Sequence, residues 1–150
     1  MPSTRPNIAF ILGWGGIIPF VASATLVLFA DPFTGIMAAN MGSIYGGFII
    51  AFLGAVHWGA VMGGAMMGST VSDSPQNWRY IWSVMPALAM TAIAILPPLI
   101  KLPLMMLSLG ICWAIDLYTT QRGGFPTWYM QMRHGLTAVA IISLGIMWSA

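Results

Sequence analysis

The stretch FLGAVHWGA, residues 52–60, contains one ionisable histidine in a run that is otherwise small and apolar. This run lies inside a longer apolar segment, which extends from residue 43 to residue 67. A segment of about 20 mostly apolar residues is long enough to cross the hydrocarbon core of a bilayer as a helix. We therefore predict that this stretch belongs to a transmembrane helix and that His57 lies well inside it.

The composition of the whole chain indicates the same environment. Of its 150 residues, 59% are hydrophobic and only 5% are charged, and the mean hydropathy is +0.87. A soluble domain carries about 25% charged residues, because its surface faces water. The net charge of +2 is small and no Lys/Arg cluster is present, so nucleic acid is not an expected partner. We predict an integral membrane protein whose surroundings are the lipid bilayer.

Five apolar segments satisfy the length of a membrane span. They cover residues 8–30, 43–67, 80–96, 102–118 and 134–149. The first resembles a signal peptide with a small-residue cleavage site, but its apolar run continues to residue 30 and we predict a transmembrane helix. Asp31-Pro32 is expected to end that helix, because proline cannot continue it. The predicted fold is an all-α bundle of about five transmembrane helices that forms a single domain, 1–150.

The basic residues predict an orientation for such a bundle. With five spans, Arg5, Arg79, Arg122 and Arg133 share one side of the membrane, whereas Lys101 is the only basic residue on the other. Lys and Arg are enriched in cytoplasmic loops. We therefore expect a cytoplasmic N-terminus and a periplasmic C-terminus.

Small residues recur at a spacing of four along the second predicted span. Residues at this spacing share one face of a helix, and small ones let two helix backbones approach closely in a membrane. We predict that this span is the central helix of the bundle and that the row supports helix packing. Its members are Gly47, Ala51, Ala55, Gly59 and Gly63.

His57 is expected to need a polar partner. It lies ten residues from the cytoplasmic end of its span, or about 15 Å deep, where an ionisable group is costly unless it is paired or faces a cavity. Asp116 near the end of the fourth span and Arg133 before the fifth lie on the same side of the membrane. We predict an Asp116–Arg133 pair close to His57, with Arg79 and Arg122 as competitors for the carboxylate. The cluster would either hold helices together or form part of a binding site.

Aromatic residues gather towards the same side. Trp58, Trp128 and Tyr129 are the members closest in sequence to the polar cluster. Trp and Tyr belts at the membrane interface are the ordinary explanation of this pattern. Trp14 and Trp58 lie deeper than such a belt, and the alternative is that these two side chains line a groove for a lipid headgroup or a quinone ring.

Metals and prosthetic groups are not expected. The aspartates are dispersed, glutamate is absent and Cys112 is the single cysteine, which suits neither a metal site nor a disulfide. A haem held by two histidines would require His57 and His134 at a similar depth. The predicted spans place the two residues at depths that differ by several ångströms, so haem is not expected. Chlorophyll ligation is not expected either, because Leu53 lies four residues before His57 where light-harvesting helices have a small residue. A bound lipid or quinone is kept as an alternative.

Five motifs occur in order along the chain: LGWGGIIPF (12–20), FLGAVHWG (52–59), WSVMPAL (82–88), an aspartate late in the fourth span, and PTWYMQMRHGLT (126–137). Together they resemble the inner-membrane family known as domain of unknown function 3429, from about residue 8 to residue 148. The resemblance implies a bacterial cytoplasmic or mitochondrial inner membrane and no particular activity. It places at motif positions Pro19, His57, Trp58, Gly59, Pro86, Asp116, Pro126, Trp128, Tyr129, Arg133 and Thr137.

The function that these observations favour is a non-enzymatic accessory or assembly subunit of an energy-transducing complex, respiratory or photosynthetic. A small bundle with little polar surface can dock laterally onto other membrane subunits, and the chain shows no set of catalytic residues. One alternative is a quinone- or lipid-binding module that uses His57, Trp58, Asp116 and Arg133. Another is a small transporter or channel in which His57 takes up a proton.

Overall fold

The computed structural model describes residues 7–66 and 77–150, with the side chains of residues 65 and 66 left undescribed. These residues form helices and connecting turns, and the described part contains no strand, so the all-α prediction is confirmed. The helices are α1 (Asn7–Gly15), α2 (Ile18–Phe29), α3 (Pro32–Met66), α4 (Asn77–Ala94), α5 (Pro98–Gln121) and α6 (Thr127–Ser149).

Within the described residues, three helical stretches are long and apolar enough to cross a membrane. They are Asn7–Phe29, which joins α1 and α2, then Pro32–Gly64 and Pro98–Gln121. The 35 residues of α3 correspond to a length of about 52 Å, well beyond the hydrocarbon thickness of about 30 Å. A helix of that length tilts in the bilayer or projects from it. The protein is therefore a membrane protein built around several apolar helices.

The first apolar stretch is broken in the middle. Helix α1 ends at Gly15 and α2 begins at Ile18, with Pro19 in the first turn of α2, where the missing N–H of proline costs nothing. The Tyr45 hydroxyl of α3 donates a 2.9 Å hydrogen bond to the Gly16 carbonyl at this break. A backbone group freed by the interruption is thus satisfied by a neighbouring helix.

Helix α3 begins at residue 32, whereas the predicted span began at residue 43. Asp31 explains the early start, because its side chain caps the helix: Oδ1 accepts from the backbone N–H groups of Phe33 and Thr34 at 3.1 Å, and Oδ2 accepts from the Thr34 hydroxyl at 2.6 Å. The Thr34 hydroxyl, together with these backbone donors, lowers the pKa of Asp31. Asp31-Pro32 ends one helix and also starts the next, since proline suits the first helical position.

Helix α3 packs against α2, α4 and α5 around a common apolar core. Its closest approach to α4 is at Gly54, where an added Cβ would lie 2.6 Å from the Ser83 carbonyl oxygen and 2.9 Å from Pro86. A side chain at this position would force the two helices apart. The core residues are Phe20, Ile50, Leu53, Met90, Leu102, Met105, Leu109, Cys112, Ala140, Leu144 and Met147.

The small-residue row predicted to pack helices together does not lie at an internal contact. Among the described residues, no atom comes within 4 Å of a Cβ placed at Gly47, Gly59 or Gly63, and Ala55 is exposed while Ala51 is half-buried. The inward face of α3 carries a different set of glycines, Gly42, Gly46 and Gly54. Both faces of α3 contain small residues at helical spacing, so spacing alone does not determine which face turns inward.

Candidate functional site

A buried carboxylate joins three helices at one end of the bundle. Asp116 of α5 accepts a 3.0 Å hydrogen bond at Oδ1 from Nε2 of His57 in α3. Its Oδ2 accepts from Arg133 Nε at 2.8 Å and from the Tyr129 hydroxyl at 3.0 Å, both in α6. His57, Asp116 and Arg133 are 0%, 1% and 3% exposed. We refer to His57, Asp116, Tyr129 and Arg133 as the Asp116 network.

Helical periodicity brings the four side chains together. His57 lies one turn after Leu53, so it continues the inward face of α3. Asp116 lies one turn after Cys112, which belongs to the core on α5. Tyr129 and Arg133 are four residues apart and therefore share one face of α6. The chain thus directs all four groups into the same interior space through the ordinary packing of three helices.

The network balances one negative charge with one permanent positive charge. Arg133 keeps its charge in proteins, and its short contact with Asp116 is a charge-assisted hydrogen bond. Because the Asp116 carboxylate can only accept, His57 donates its Nε2–H, and its Nδ1 is buried without a partner among the described residues. A neutral imidazole leaves only a lone pair unpaired at Nδ1, whereas an imidazolium would bury a second donor and an additional charge. The bond to Asp116 therefore requires the His57 tautomer that carries a proton on Nε2.

The loop between α5 and α6 covers His57. This loop turns at Gly123, whose φ of 75° suits glycine, and it brings the Phe125 ring edge-on to the imidazole with 4.9 Å between ring centroids. Phe125 is 8% exposed, and the Arg79 guanidinium lies 5.2 Å from its ring centroid. Trp78 at the start of α4 approaches His57 from another side, at 6.1 Å. Phe125 therefore packs against both the imidazole and the Arg79 guanidinium.

The contact of Phe125 with His57 was not predicted, and neither was the position of Arg79 beside the Phe125 ring. Phe125 directly precedes Pro126, which caps α6, and bulky residues before a helix cap often pack back onto the first turn. The position of Phe125 directly before the cap is therefore the sequence feature from which its inward packing could have been predicted. Arg79 was expected only as a competitor for Asp116, but its guanidinium instead lies over the Phe125 ring.

Several buried polar atoms around the network have no hydrogen-bond partner within the described part of the chain. Arg133 Nη2 and Thr137 Oγ1 are one helical turn apart on α6, and His57 Nδ1 and two nitrogens of Arg79 complete the set. Buried donors of this kind commonly bind an ordered water where space permits. The region thus contains polar atoms that can form hydrogen bonds in addition to those made to Asp116.

The structure brings together His57, Asp116, Tyr129 and Arg133 from the predicted set, but not Trp58. Trp128 is half-buried beside Tyr129, with 6.3 Å between ring centroids. Trp58 is 45% exposed, donates to Met62 Sδ at 2.8 Å and packs edge-on against Tyr80 of α4, with 5.1 Å between ring centroids.

The remaining candidates lie outside the network. Arg122 lies 4.4 Å from the centroid of the Tyr118 ring and makes no ion pair with Asp116. His134 is exposed and accepts a 2.9 Å hydrogen bond from Trp113, whereas His57 is fully buried. Within residues 7–66 and 77–150, no three His, Cys, Asp or Glu side chains lie close enough to hold one metal ion. The network therefore offers hydrogen bonding and proton exchange at one imidazole.

These features define an α-helical membrane protein with a buried histidine–aspartate–arginine network that connects its helices. The chain belongs to the family described as Protein of unknown function (DUF3429), whose sequence model matches residues 5–149. This confirms the resemblance of its motifs. It is also similar to Transmembrane protein 69 of Xenopus tropicalis, with 30% identity over 142 residues, which cover 93% of this chain and 53% of that protein. The chain thus spans about half the length of this relative. No solved structure matches the chain.

Proposed function

We propose that this protein is a non-enzymatic accessory or assembly subunit of an energy-transducing complex, respiratory or photosynthetic, in the bacterial inner membrane. In this proposal it crosses the membrane five times with its N-terminus in the cytoplasm. It docks laterally through the outer face of α3. The observation that carries the proposal is the outward position of the row formed by Gly47, Ala51, Ala55, Gly59 and Gly63.

Lipid contact alone gives no reason for small residues on this face. Acyl chains pack against any apolar side chain, whereas the close approach of a second helix backbone requires small residues. Phe48 and Phe52, which are 70% and 63% exposed, each follow a member of the row and form a ridge beside it. A row of small residues next to a ridge of large ones is the surface that receives the side chains of another helix.

The Asp116 network supports this role by fixing the position of α3. His57 connects the inward face of α3 to Asp116 on α5, and Arg133 connects Asp116 to α6. Since helices in a membrane lack a hydrophobic force between them, polar contacts of this kind hold their relative orientation. The row on the opposite side of α3 is thereby presented on a helix that is anchored from within.

Site-specific photocrosslinking tests the proposal. A photoreactive residue at Gly59 would face the partner, whereas one at Ile142 in α6, which is 62% exposed, serves as the matched lipid-facing control. We expect a discrete crosslink from position 59 to one membrane subunit, and only lipid adducts from position 142. Identical adduct patterns from the two positions would contradict a docking face on α3.

A second candidate function, a small transporter or channel gated by His57, is supported by one observation. The imidazole is buried beside Asp116 with its Nδ1 unpartnered among the described residues, so it can take up a proton at that atom. Proton or solute flux into liposomes that disappears in His57→Gln would favour this role, and flux equal to that of empty vesicles would oppose it. Binding of quinone or lipid at the network has less support, because His57 and Asp116 are almost fully buried.

A further inference from the structure

A cleft of about 580 Å³ opens at the other end of the bundle from the Asp116 network. It lies between the end of α2, the beginning of α3, the beginning of α5 and the end of α6. Lys101 lines it near the start of α5, whereas Asp116 lies fifteen residues later, or about 22 Å further along the helix. The cleft and the network are therefore separate sites.

The cleft combines an apolar wall with a few polar groups. A lining of this composition, with polar groups at defined points, is typical of sites for small amphiphilic ligands, and the volume lies within the usual range of about 300–1,000 Å³. Apolar members of the lining include Val27, Ile36, Leu102 and Met147, and its polar side chains are Asn40, Ser43 and Lys101.

Lys101 carries a positive charge that the described residues do not neutralise. Both ion pairs in the described part of the chain belong to Asp116. Asp31 lies at the same end of the bundle as Lys101, but its oxygens accept from Phe33 and Thr34, and it makes no ion pair with Lys101. Lys101 is half-buried, so part of its stem lies along apolar surface.

Asn40 adds a second polar group to the same cleft. It is exposed on an otherwise apolar part of α3, and its side-chain amide makes no hydrogen bond among the described residues. Its backbone carbonyl is already used, because it accepts from the Ser43 hydroxyl at 2.8 Å. The cleft thus contains one ammonium and one amide that both lack a partner.

We propose that this cleft binds an anionic phospholipid. Its phosphate accepts hydrogen bonds from Lys101 and Asn40, and one acyl chain lies along Ile36, Leu102 and Met147. Charge complementarity favours this ligand, since the Lys101 ammonium makes no ion pair among the described residues and apolar side chains line the same cleft. A quinone carries no charge to pair with the ammonium. The site is independent of the proposed docking face, because the cleft is on a different part of the molecule.

Native mass spectrometry of the purified full chain tests the proposal. Phosphatidylglycerol and phosphatidylcholine with identical acyl chains are compared for the wild type and for Lys101→Gln, Lys101→Arg and Arg122→Gln. Arg122→Gln is the matched control, because it removes one exposed positive charge at the opposite end of α5. We expect Lys101→Gln to weaken phosphatidylglycerol retention by about tenfold, the value of one charge-assisted hydrogen bond. Lys101→Arg and Arg122→Gln should retain phosphatidylglycerol, and phosphatidylcholine binding should not change.

A further variant keeps the test decisive if Lys101→Gln does not fold. Ile36→Trp places a larger ring in the cleft at a side chain that is 71% exposed and outside the core, and it should reduce phosphatidylglycerol retention with the charge intact. Equal losses in Lys101→Gln and Arg122→Gln would show that only the overall charge matters. Equal wild-type retention of the two lipids would show non-selective apolar contact. Either result would overturn the proposal.

Discussion

Replacing Asp116 with asparagine removes the negative charge of the network and keeps its shape. The amide can direct its oxygen to Arg133 and Tyr129. Its NH2 group can donate to His57 Nε2 once the imidazole proton moves to Nδ1, so most hydrogen bonds of the network survive. Arg133, which is 3% exposed, then carries a buried charge without a counter-ion. Breaking a buried ion pair by removing one partner costs about 3–5 kcal/mol. Losing one hydrogen bond to a carboxylate that keeps its ion pair costs less, about 1.5 kcal/mol.

Equilibrium unfolding in mixed micelles with increasing SDS measures this difference. We expect Asp116→Asn to lower the free energy of unfolding by about 3–5 kcal/mol. Tyr129→Phe, which removes one hydrogen bond to the same carboxylate but leaves its ion pair intact, should lower it by only about 1.5 kcal/mol. Combining Asp116→Asn with Arg133→Gln should restore part of the loss, because no buried charge is then left unpaired. If Asp116→Asn lost no more stability than Tyr129→Phe, the ion pair could not be what holds α5 and α6 together.

Three further outcomes follow from particular contacts. Gly54→Leu should prevent normal folding, since its Cβ would lie 2.6 Å from a carbonyl oxygen of α4. Gly59→Leu should fold normally, because no described atom lies within 4 Å of a Cβ at that position. Measurements of helix content and of unfolding in micelles distinguish the two variants. Phe125→Ala should cost about 3–5 kcal/mol in the same unfolding assay, because it removes a buried ring from above His57. The pKa of Asp31 is lower in the folded chain than in the unfolded one, so its capping contribution is complete above the unfolded pKa and is lost as pH falls through the folded pKa. Stability measured against pH should therefore fall less steeply in acid for Asp31→Asn than for the wild type.

Much of the polar interior was predictable from the chain alone. An ionisable side chain deep in an apolar segment requires a partner, and few candidates exist in a chain with 5% charged residues. Alternation of the helices places Asp116 and Arg133 at the same end as His57, and this prediction is confirmed by the contacts of 3.0 Å and 2.8 Å that both residues make within the network. Scarcity of charge made the pairing nearly unique.

Other features were not predictable, because the local sequence pattern is compatible with two different structures. Asp31-Pro32 ends a helix and starts one equally well, so the early beginning of α3 depends on the cap that forms in the folded chain. Small residues occupy both faces of α3, and the large side chains Ile50 and Leu53 decide which face turns inward. The contact of Phe125 with His57 depends on how the loop after α5 folds back, which periodicity does not describe.

Stoichiometric partner analysis tests the docking role of α3 most directly. The tagged protein is extracted gently in digitonin from its native membranes, and co-purifying subunits are quantified by mass spectrometry for the wild type, Gly59→Leu and Gly110→Leu. Both glycines are free of neighbours within 4 Å among the described residues, but only Gly59 belongs to the outward row. We expect a near-stoichiometric membrane subunit with the wild type and Gly110→Leu, and its loss with Gly59→Leu. A wild-type protein recovered alone, or a partner retained equally by both variants, would contradict the account.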